Sequence, residues 1–106
     1  MRFALFCAIV IALALPALAP ASFPAPVAVR RAVQVWPRSQ RSAALAVAYC
    51  ESRFQTGARN GQYLGLWQLG TRERRLYGYG RTALAQARSA HRLWLARGWR
   101  PWACRP

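Results

Sequence analysis

The most informative stretch of the sequence is Tyr49-Cys50-Glu51-Ser52-Arg53-Phe54. Only two of the 106 residues are acidic, and there is no Asp. Glu51 is the acidic residue that follows an apolar run, residues 43–50, whose composition is typical of a buried helix. This position predicts that Glu51 lies in the last turn of that helix, next to carbonyl groups that have no partner within the helix.

Two effects are expected to raise the pKa of Glu51. The partial negative charge of the helix-end carbonyls disfavours a carboxylate, and so does desolvation by the neighbouring rings of Tyr49 and Phe54. A carboxylic acid that keeps its proton near neutral pH is what a general acid for glycosidic cleavage requires. The alternative is a surface glutamate with an arginine neighbour, and this stretch alone does not decide between the two.

The N-terminus has the layout of a secretory signal peptide. Met1-Arg2 is a short positive region, an apolar run covers residues 3–15, and small residues follow as far as Ser22. The run is too short for a transmembrane helix. We expect cleavage after Ala21, which removes residues 1–21 and predicts a secreted protein. An uncleaved signal anchor is the alternative.

The mature chain is strongly basic. It holds 15 Arg and two Glu with no Lys, a formal charge of +13. Such a charge fits nucleic acid, a membrane surface or an anionic wall polymer. An exported protein leaves the compartment that holds nucleic acid, so the predicted partner is an anionic cell wall. We expect no nucleic-acid partner and no stable membrane insertion after signal cleavage.

The number of cysteines is consistent with export. Cys7 leaves with the signal peptide, so Cys50 and Cys104 remain. An even pair in a small exported domain predicts a disulfide, which would stabilise a thin core by about 4 kcal/mol in the chain-entropy model. Free thiols or a metal pair are the alternative, although two Cys and one His give no recognisable zinc spacing.

The domain is predicted to cover residues 39–106. Residues 22–38 contain three prolines and no sustained period, and we interpret them as a Pro/Ala/Arg-rich linker. A central helix is predicted over about residues 39–54, with Ser39 or Ser42 as its cap. The Asn60-Gly61 pair indicates a turn. The expected fold class is mainly α, with a short or absent β-hairpin and one disulfide.

The second half of the domain is predicted to hold two further helices. A short one runs from residue 72 to about 76, and a longer one runs over residues 83–97, capped by Thr82 and ended by Gly98. His91 lies on the apolar stripe of the longer helix. We interpret it as a partly buried structural histidine, with a catalytic role as the alternative.

Residues 63–70 hold the candidate ligand-binding side chains. Tyr63 and Trp67 offer aromatic faces, and the Gln68 amide can bond sugar hydroxyls or an acetamido group. Gly65 allows the backbone to approach a ligand closely. Ordinary core packing is the alternative for Trp67.

Four motifs follow one another in this order. They are Cys50-Glu51-Ser52; Asn60-Gly61-Gln62-Tyr63 running into Gly65-Leu66-Trp67-Gln68; Gln86-Ala87-x-x-Ala90; and Gly98-Trp99-x-x-Trp102-x-Cys104. Together they resemble the lysozyme-like catalytic domain of soluble lytic transglycosylases. The similarity is greatest to actinobacterial secreted forms and resuscitation-promoting factors, in which a Cys directly precedes the Glu. It covers about residues 42–104. Trp67 departs from it, because these families often have another apolar residue there.

The resemblance implies an α-rich lysozyme-like fold with a cleft for peptidoglycan glycan strands. It also implies cleavage of the β-1,4 bond between N-acetylmuramic acid and N-acetylglucosamine, with Glu51 as the acid. Ser52 would orient the substrate or Glu51. The implied substrate-binding residues are Ser52, Tyr63, Gly65, Trp67 and Gln68.

The residue inventory favours a route with one carboxylate. A two-carboxylate hydrolase needs a nucleophile or base beside its acid, and Glu73 is the only candidate. Its neighbours Arg72, Arg74 and Arg75 instead predict a helix face on which the arginines neutralise the charge of Glu73. In the one-carboxylate route Glu51 protonates the leaving oxygen, then accepts the proton of the muramoyl C6 hydroxyl, which attacks C1 and gives a 1,6-anhydro end. This route requires no metal and no cofactor.

Three other functions stay open from the sequence. In a muramidase-type hydrolase, water would replace the internal hydroxyl. A non-catalytic cationic peptidoglycan-binding module would keep the cleft without turnover. A membrane-active cationic protein would act on lipid independently of Glu51. Nothing in the sequence indicates more than a monomer.

Overall fold

A computed structural model describes residues 24–106, and the predicted signal peptide lies outside them. The described chain contains α1 (Val27–Ala32), α2 (Arg41–Ser52), β1 (Arg59–Asn60), β2 (Tyr63–Leu64), α3 (Thr71–Tyr77) and α4 (Ala83–Arg97). Two 3-10 turns, Val33–Val35 and Arg38–Gln40, join α1 to α2. The predicted mainly helical class, small hairpin and single disulfide are therefore confirmed.

Residues 24–38 belong to the domain, so interpreting them as linker is wrong for this segment. Their buried side chains lie at positions 25, 29, 32, 33 and 36, and the last four have the i, i+3, i+4, i+7 spacing of one helix face. The Pro26 carbonyl accepts hydrogen bonds from the N–H groups of Val29 and Arg30, both at 3.0 Å. Pro26 and Pro37 each precede a helical turn, where a missing N–H and a fixed φ are tolerated.

The core is organised around Trp36, which is 1% exposed. The ring centroids of Trp67, His91 and Trp99 lie 5.2, 5.5 and 5.8 Å from its own. Side chains from the segment after the hairpin, from α4 and from the C-terminal tail thus meet on one tryptophan. Its indole N–H is buried and has no hydrogen-bond partner in the described chain.

The His91 ring packs among the core aromatic rings, as its place on the apolar stripe predicts. It meets Trp36 edge-on and stacks on Trp94 at 5.6 Å. Burial, and then the positive charge of Arg92, lower the pKa of His91. The side chain lines neither the groove beside the end of α2 nor the pocket that adjoins this groove.

The helix boundaries follow local signals with one exception. The Thr82 side chain accepts a hydrogen bond from the N–H of Ala85, and Gly98 ends α4 at a φ of 65°. The predicted serine cap of α2 is wrong, because the residue at the N-cap is Gln40 and it forms no side-chain capping bond. A 3-10 turn leads into α2 and replaces the cap. Arg53 ends α2 in the left-handed region, at φ 54°.

The hairpin is as short as a paired hairpin can be. Asn60 pairs with Tyr63 and Arg59 with Leu64, so Gly61 and Gln62 form a two-residue loop. Gly61 has a φ of 63°, which favours glycine at the first position of such a loop. The hairpin therefore presents Asn60 and Tyr63 next to each other.

No helix in the described part of the chain, residues 24–106, is long and apolar enough to cross a membrane.

Candidate functional site

A groove with a volume of about 290 Å³ opens beside the C-terminal end of α2. Three separate segments form its walls: the end of α2, the hairpin region and the C-terminal tail. Its lining residues are Glu51, Asn60, Tyr63, Gln68, Pro101, Trp102 and Ala103. The groove thus contains three of the predicted site residues, together with four that were not predicted as such.

Glu51 lies in the last turn of α2, as predicted, and faces this groove. Burial raises the pKa of Glu51, an effect partly opposed by the hydrogen bond that the Cys104 N–H donates to Oε2 at 3.3 Å. The neighbouring Arg53 guanidinium lies 4.7 Å from the centroid of the Tyr49 ring instead. Within residues 24–106 Glu51 forms no ion pair, so the arginine-paired surface glutamate is not observed.

The disulfide holds the tail against α2. Cys50 and Cys104 are bonded, as predicted, and their Cα atoms are 6.0 Å apart. The Trp102 indole is buried and donates its N–H to the Trp67 carbonyl at 2.7 Å. Residues 101–103 therefore form a fixed wall opposite the hairpin, next to the Glu51 carboxyl group.

Gln68 and Tyr63 supply the polar and aromatic surfaces of the groove. Gln68 has a left-handed φ of 49°, and its Nε2 donates to the carbonyls of Gly65 at 3.0 Å and Ala58 at 3.3 Å. These bonds fix the side chain through its nitrogen and leave Oε1 as an acceptor. Tyr63 is 44% exposed, so one aromatic face is open to a ligand.

Three predicted site residues do not line the groove. Ser52 is buried, and its hydroxyl donates to the Ala48 carbonyl at 2.9 Å within α2. Trp67 is 1% exposed and donates its indole N–H to the Ala44 carbonyl at 3.1 Å. It is a core residue, which was the alternative interpretation. Gly65 faces the interior as well.

Gly65 makes room for a buried glutamine that joins the hairpin region to α4. Gln86 is 3% exposed, and its Oε1 accepts the Leu66 N–H at 2.8 Å. Its Nε2 donates to the carbonyls of Thr56 and Gly80, both at 3.1 Å. A Cβ atom on Gly65 would lie 2.7 Å from Gln86 Oε1. Gln86, which belongs to the third sequence motif, thus holds the backbone of the hairpin region in place next to the groove.

Replacing Gly65 by alanine is expected to destabilise the domain by about 2 kcal/mol or more, because φ is +85° and the new methyl group meets Gln86. The free energy of unfolding in urea checks this. Gly57→Ala is the matched control, since its added Cβ meets nothing within 4 Å. Equal effects of the two substitutions would contradict this role of Gly65.

Glu73 lies near the groove without lining it. It lines an adjoining pocket that shares Tyr63, Gln68, Pro101 and Trp102 with the groove. The expectation that neighbouring arginines neutralise it is not met. In the described chain Glu73 forms no ion pair, and Arg74 donates to the backbone carbonyls of Gln62 and Leu69 instead.

Four lining residues were missed as site residues. The sequence places Asn60 in a turn and in the second motif, and Trp102 in the fourth motif, but it predicts no ligand contact for them or for Pro101 and Ala103. The signal was present in the cysteines, because a Cys50–Cys104 bond requires residues 101–103 to pass close to Glu51. No group of three or more His, Cys, Asp or Glu side chains that could hold a metal ion occurs in residues 24–106.

The chain matched no protein-family model, no curated protein and no solved structure.

Proposed function

We propose that the protein is a secreted, cell-wall-associated peptidoglycan lytic transglycosylase that acts as a monomer with a lysozyme-like catalytic domain. It cleaves the β-1,4 bond between N-acetylmuramic acid and N-acetylglucosamine and leaves 1,6-anhydro-muramoyl ends. The observation that carries this proposal is Glu51, a partly buried carboxyl group with a raised pKa in a groove that also offers amide groups and a tyrosine ring.

Glu51 supplies the proton transfers. As an acid it protonates the glycosidic oxygen, and the bond between that oxygen and C1 of the muramoyl residue breaks. As a carboxylate it then takes the proton of the C6 hydroxyl of the same residue while that oxygen bonds to C1. The proton that Glu51 gave is thereby restored, and no water is consumed. The Cys104 N–H at 3.3 Å stabilises the carboxylate form between the two steps.

The other lining groups have the chemistry to hold a sugar. Gln68 Oε1 and the Asn60 amide accept from and donate to hydroxyl or acetamido groups. The open face of Tyr63 can stack on a pyranose ring, whose C–H groups carry partial positive charge. Because Gln68 is held by two backbone carbonyls, its acceptor is already oriented before the substrate arrives.

The carboxyl groups favour the transglycosylase over a hydrolase. Glu51 is the one acidic residue that lines the groove within the described chain, which suits a reaction in which one group is acid and then base. A muramidase-type hydrolase is the second candidate, because Glu73 has no ion pair there and lines the adjoining pocket. Glu73 would then activate water in place of the C6 hydroxyl.

The positive charge supports wall retention. Residues 24–106 carry 15 Arg against two Glu, and most of these arginines are exposed. An anionic wall polymer would be attracted along this surface, and the attraction weakens as salt increases. Non-catalytic binding to peptidoglycan therefore accompanies cleavage in this proposal rather than replacing it.

Substituting Glu51 by glutamine is expected to lower the rate of glycan cleavage at least about 100-fold, since the amide can neither give nor take the proton. Purified mature protein with its disulfide intact is incubated with peptidoglycan, and the muropeptides are analysed by mass spectrometry. Anhydro-muramoyl ends that are absent with Glu51→Gln support the transglycosylase.

Glu73→Gln is the matched control, because it removes the chain's other acidic side chain. Anhydro ends should persist with this variant. Reducing muramoyl ends that disappear in both variants would indicate the hydrolase instead. No new ends from the unsubstituted protein would favour a non-catalytic binding module, and leakage of glycan-free lipid vesicles that is unaffected by Glu51→Gln would favour a membrane-active protein.

The pH dependence of cleavage should have an alkaline limb set by Glu51. The acid form starts the reaction, so the rate falls as pH rises through the pKa of Glu51, which burial places above its ordinary value of 4.5. A raised pKa also means that the folded state holds its proton more tightly than the unfolded chain does. Relative to Glu51→Gln, the wild-type protein should thus lose stability as pH rises through that pKa.

Rate–pH profiles and thermal melts of both proteins measure these two effects. An alkaline limb whose midpoint lies at or below pH 4.5 would contradict the raised pKa. A difference in melting temperature between the wild-type protein and Glu51→Gln that does not change with pH would contradict it as well.

A further inference from the structure

A second pocket of about 310 Å³ adjoins the Glu51 groove. The two share Tyr63, Gln68, Pro101 and Trp102, so a ligand that lies in the groove can extend directly into this pocket. The second pocket differs from the groove in its charges. Glu73, Arg97 and Arg100 line it, and none of them lines the groove.

The two arginines of the second pocket have free guanidinium nitrogens. In residues 24–106 Arg97 forms no side-chain hydrogen bond and no ion pair. Arg100 uses its Nε to donate to the Arg97 carbonyl at 3.3 Å, which leaves its two terminal nitrogens available. Both side chains are exposed, so a ligand can reach them from solvent.

Glu73 gives the same pocket an opposite charge. Its carboxylate is partly buried on α3 and is further than 4.0 Å from both guanidinium groups, because no ion pair is formed within the described chain. A purely anionic group would meet repulsion from Glu73, and a purely cationic group would meet repulsion from the arginines. A group that carries an ammonium and a carboxylate would find a partner for each.

We propose that this pocket binds the side-chain end of a diamino-acid residue in a peptidoglycan peptide stem. That end is zwitterionic, because it carries a free amino group and a free carboxyl group on one carbon atom. Arg97 and Arg100 bind the carboxylate, and Glu73 binds the ammonium group. The assignment rests on the proposed function. The stem begins on the muramoyl residue, and the groove and the pocket share four lining residues, so a stem attached to a sugar in the groove can enter the pocket.

Three soluble peptides test the proposal without any glycan. The first is L-alanyl-γ-D-glutamyl-meso-diaminopimelyl-D-alanine. The second has lysine in place of diaminopimelate and so lacks the extra carboxylate, and the third is the first peptide with its side-chain amine acetylated. Calorimetry or NMR titration of the mature protein should show the first peptide binding about tenfold more tightly than either of the others, because each lacks one charge-assisted contact.

Variants assign the contacts. Arg97→Gln together with Arg100→Gln should remove the preference for diaminopimelate over lysine, and Glu73→Gln should remove the preference for the free over the acetylated amine. The matched control is Arg72→Gln with Arg75→Gln, which removes two charges from α3 at positions that line neither pocket. This control should keep both preferences. Thermal melts show whether each variant is folded.

Equal binding of the three peptides to the wild-type protein would overturn the proposal, whatever the variants do. A loss of preference in the control as large as in the Arg97 and Arg100 variant would overturn it as well, because general charge would then suffice. Glycan cleavage is measured separately. Cleavage without peptide discrimination would refute only the stem pocket, and peptide discrimination without cleavage would refute only the transglycosylase.

Discussion

Trp36→Ala is expected to lower the free energy of unfolding by about 4 kcal/mol, the usual range for a large buried aromatic ring that leaves a cavity. Three aromatic rings lie within 6 Å of the Trp36 ring centroid, so its removal empties the centre of the core. A small domain has a stability of only about 5–10 kcal/mol. The variant should therefore be largely unfolded at moderate urea concentrations, as followed by circular dichroism.

This result also tests whether residues 24–38 belong to the domain. If this segment were a tether, removing its tryptophan would change the stability by less than about 0.5 kcal/mol. The side chains on its buried face predict the opposite. Val29, Ala32 and Val33 are each no more than 2% exposed.

A pair of phenylalanine variants serves as the control for lost hydrogen bonds. Trp36→Phe keeps a ring in place and removes an indole N–H that has no partner in the described chain. Trp67→Phe removes an N–H that donates to the Ala44 carbonyl, so the variant loses one buried hydrogen bond, although that carbonyl keeps its bond within α2. Trp67→Phe should therefore destabilise the domain by about 1 kcal/mol more than Trp36→Phe. The reverse order would contradict this account of the core.

Local signals predicted the elements that depend on local chemistry. Glu51 was placed in the last helical turn because an apolar run stops there, and α4 was bounded by a threonine cap and a glycine. The chain around residues 24–38 was misread because its prolines suggested a tether. Its i, i+3, i+4, i+7 face was present in the sequence, but its burial depends on distant segments: α1 packs on α4, and Trp67, His91 and Trp99 pack against Trp36.

The choice of groove aromatics depends on backbone turns that the sequence does not specify. Tyr63 and Trp67 are four residues apart, and either could have faced a ligand. The positive φ angles at Gly65 and Gln68 turn the chain between and after them, so that Tyr63 faces the groove and Trp67 enters the core. Burying the larger ring gains more apolar contact area, and its N–H finds a carbonyl.

Removing the disulfide, as Cys50→Ala with Cys104→Ala, is expected to destabilise the domain by about 4 kcal/mol, since the bond joins residues separated by 54 positions. The functional effect should be as large. Residues 101–103 form one wall of the groove, and the Cys104 N–H is a hydrogen-bond donor to Glu51. A tail that detaches takes both away, so glycan cleavage should fall even at temperatures at which α2 and α4 remain helical.

Two measurements separate the effect on the tail from general unfolding. Cleavage is assayed in the cold, where circular dichroism shows full helix content in both proteins, and the NMR signal of the Trp102 indole N–H reports whether the tail stays docked through its bond to the Trp67 carbonyl at 2.7 Å. Reductant should lower the activity of the wild-type protein and leave that of the double alanine variant unchanged. Full cleavage by a folded variant without the disulfide would show that the proposed catalytic groove does not need the tail. Such a result would limit the site to Glu51 and the side chains of the hairpin region.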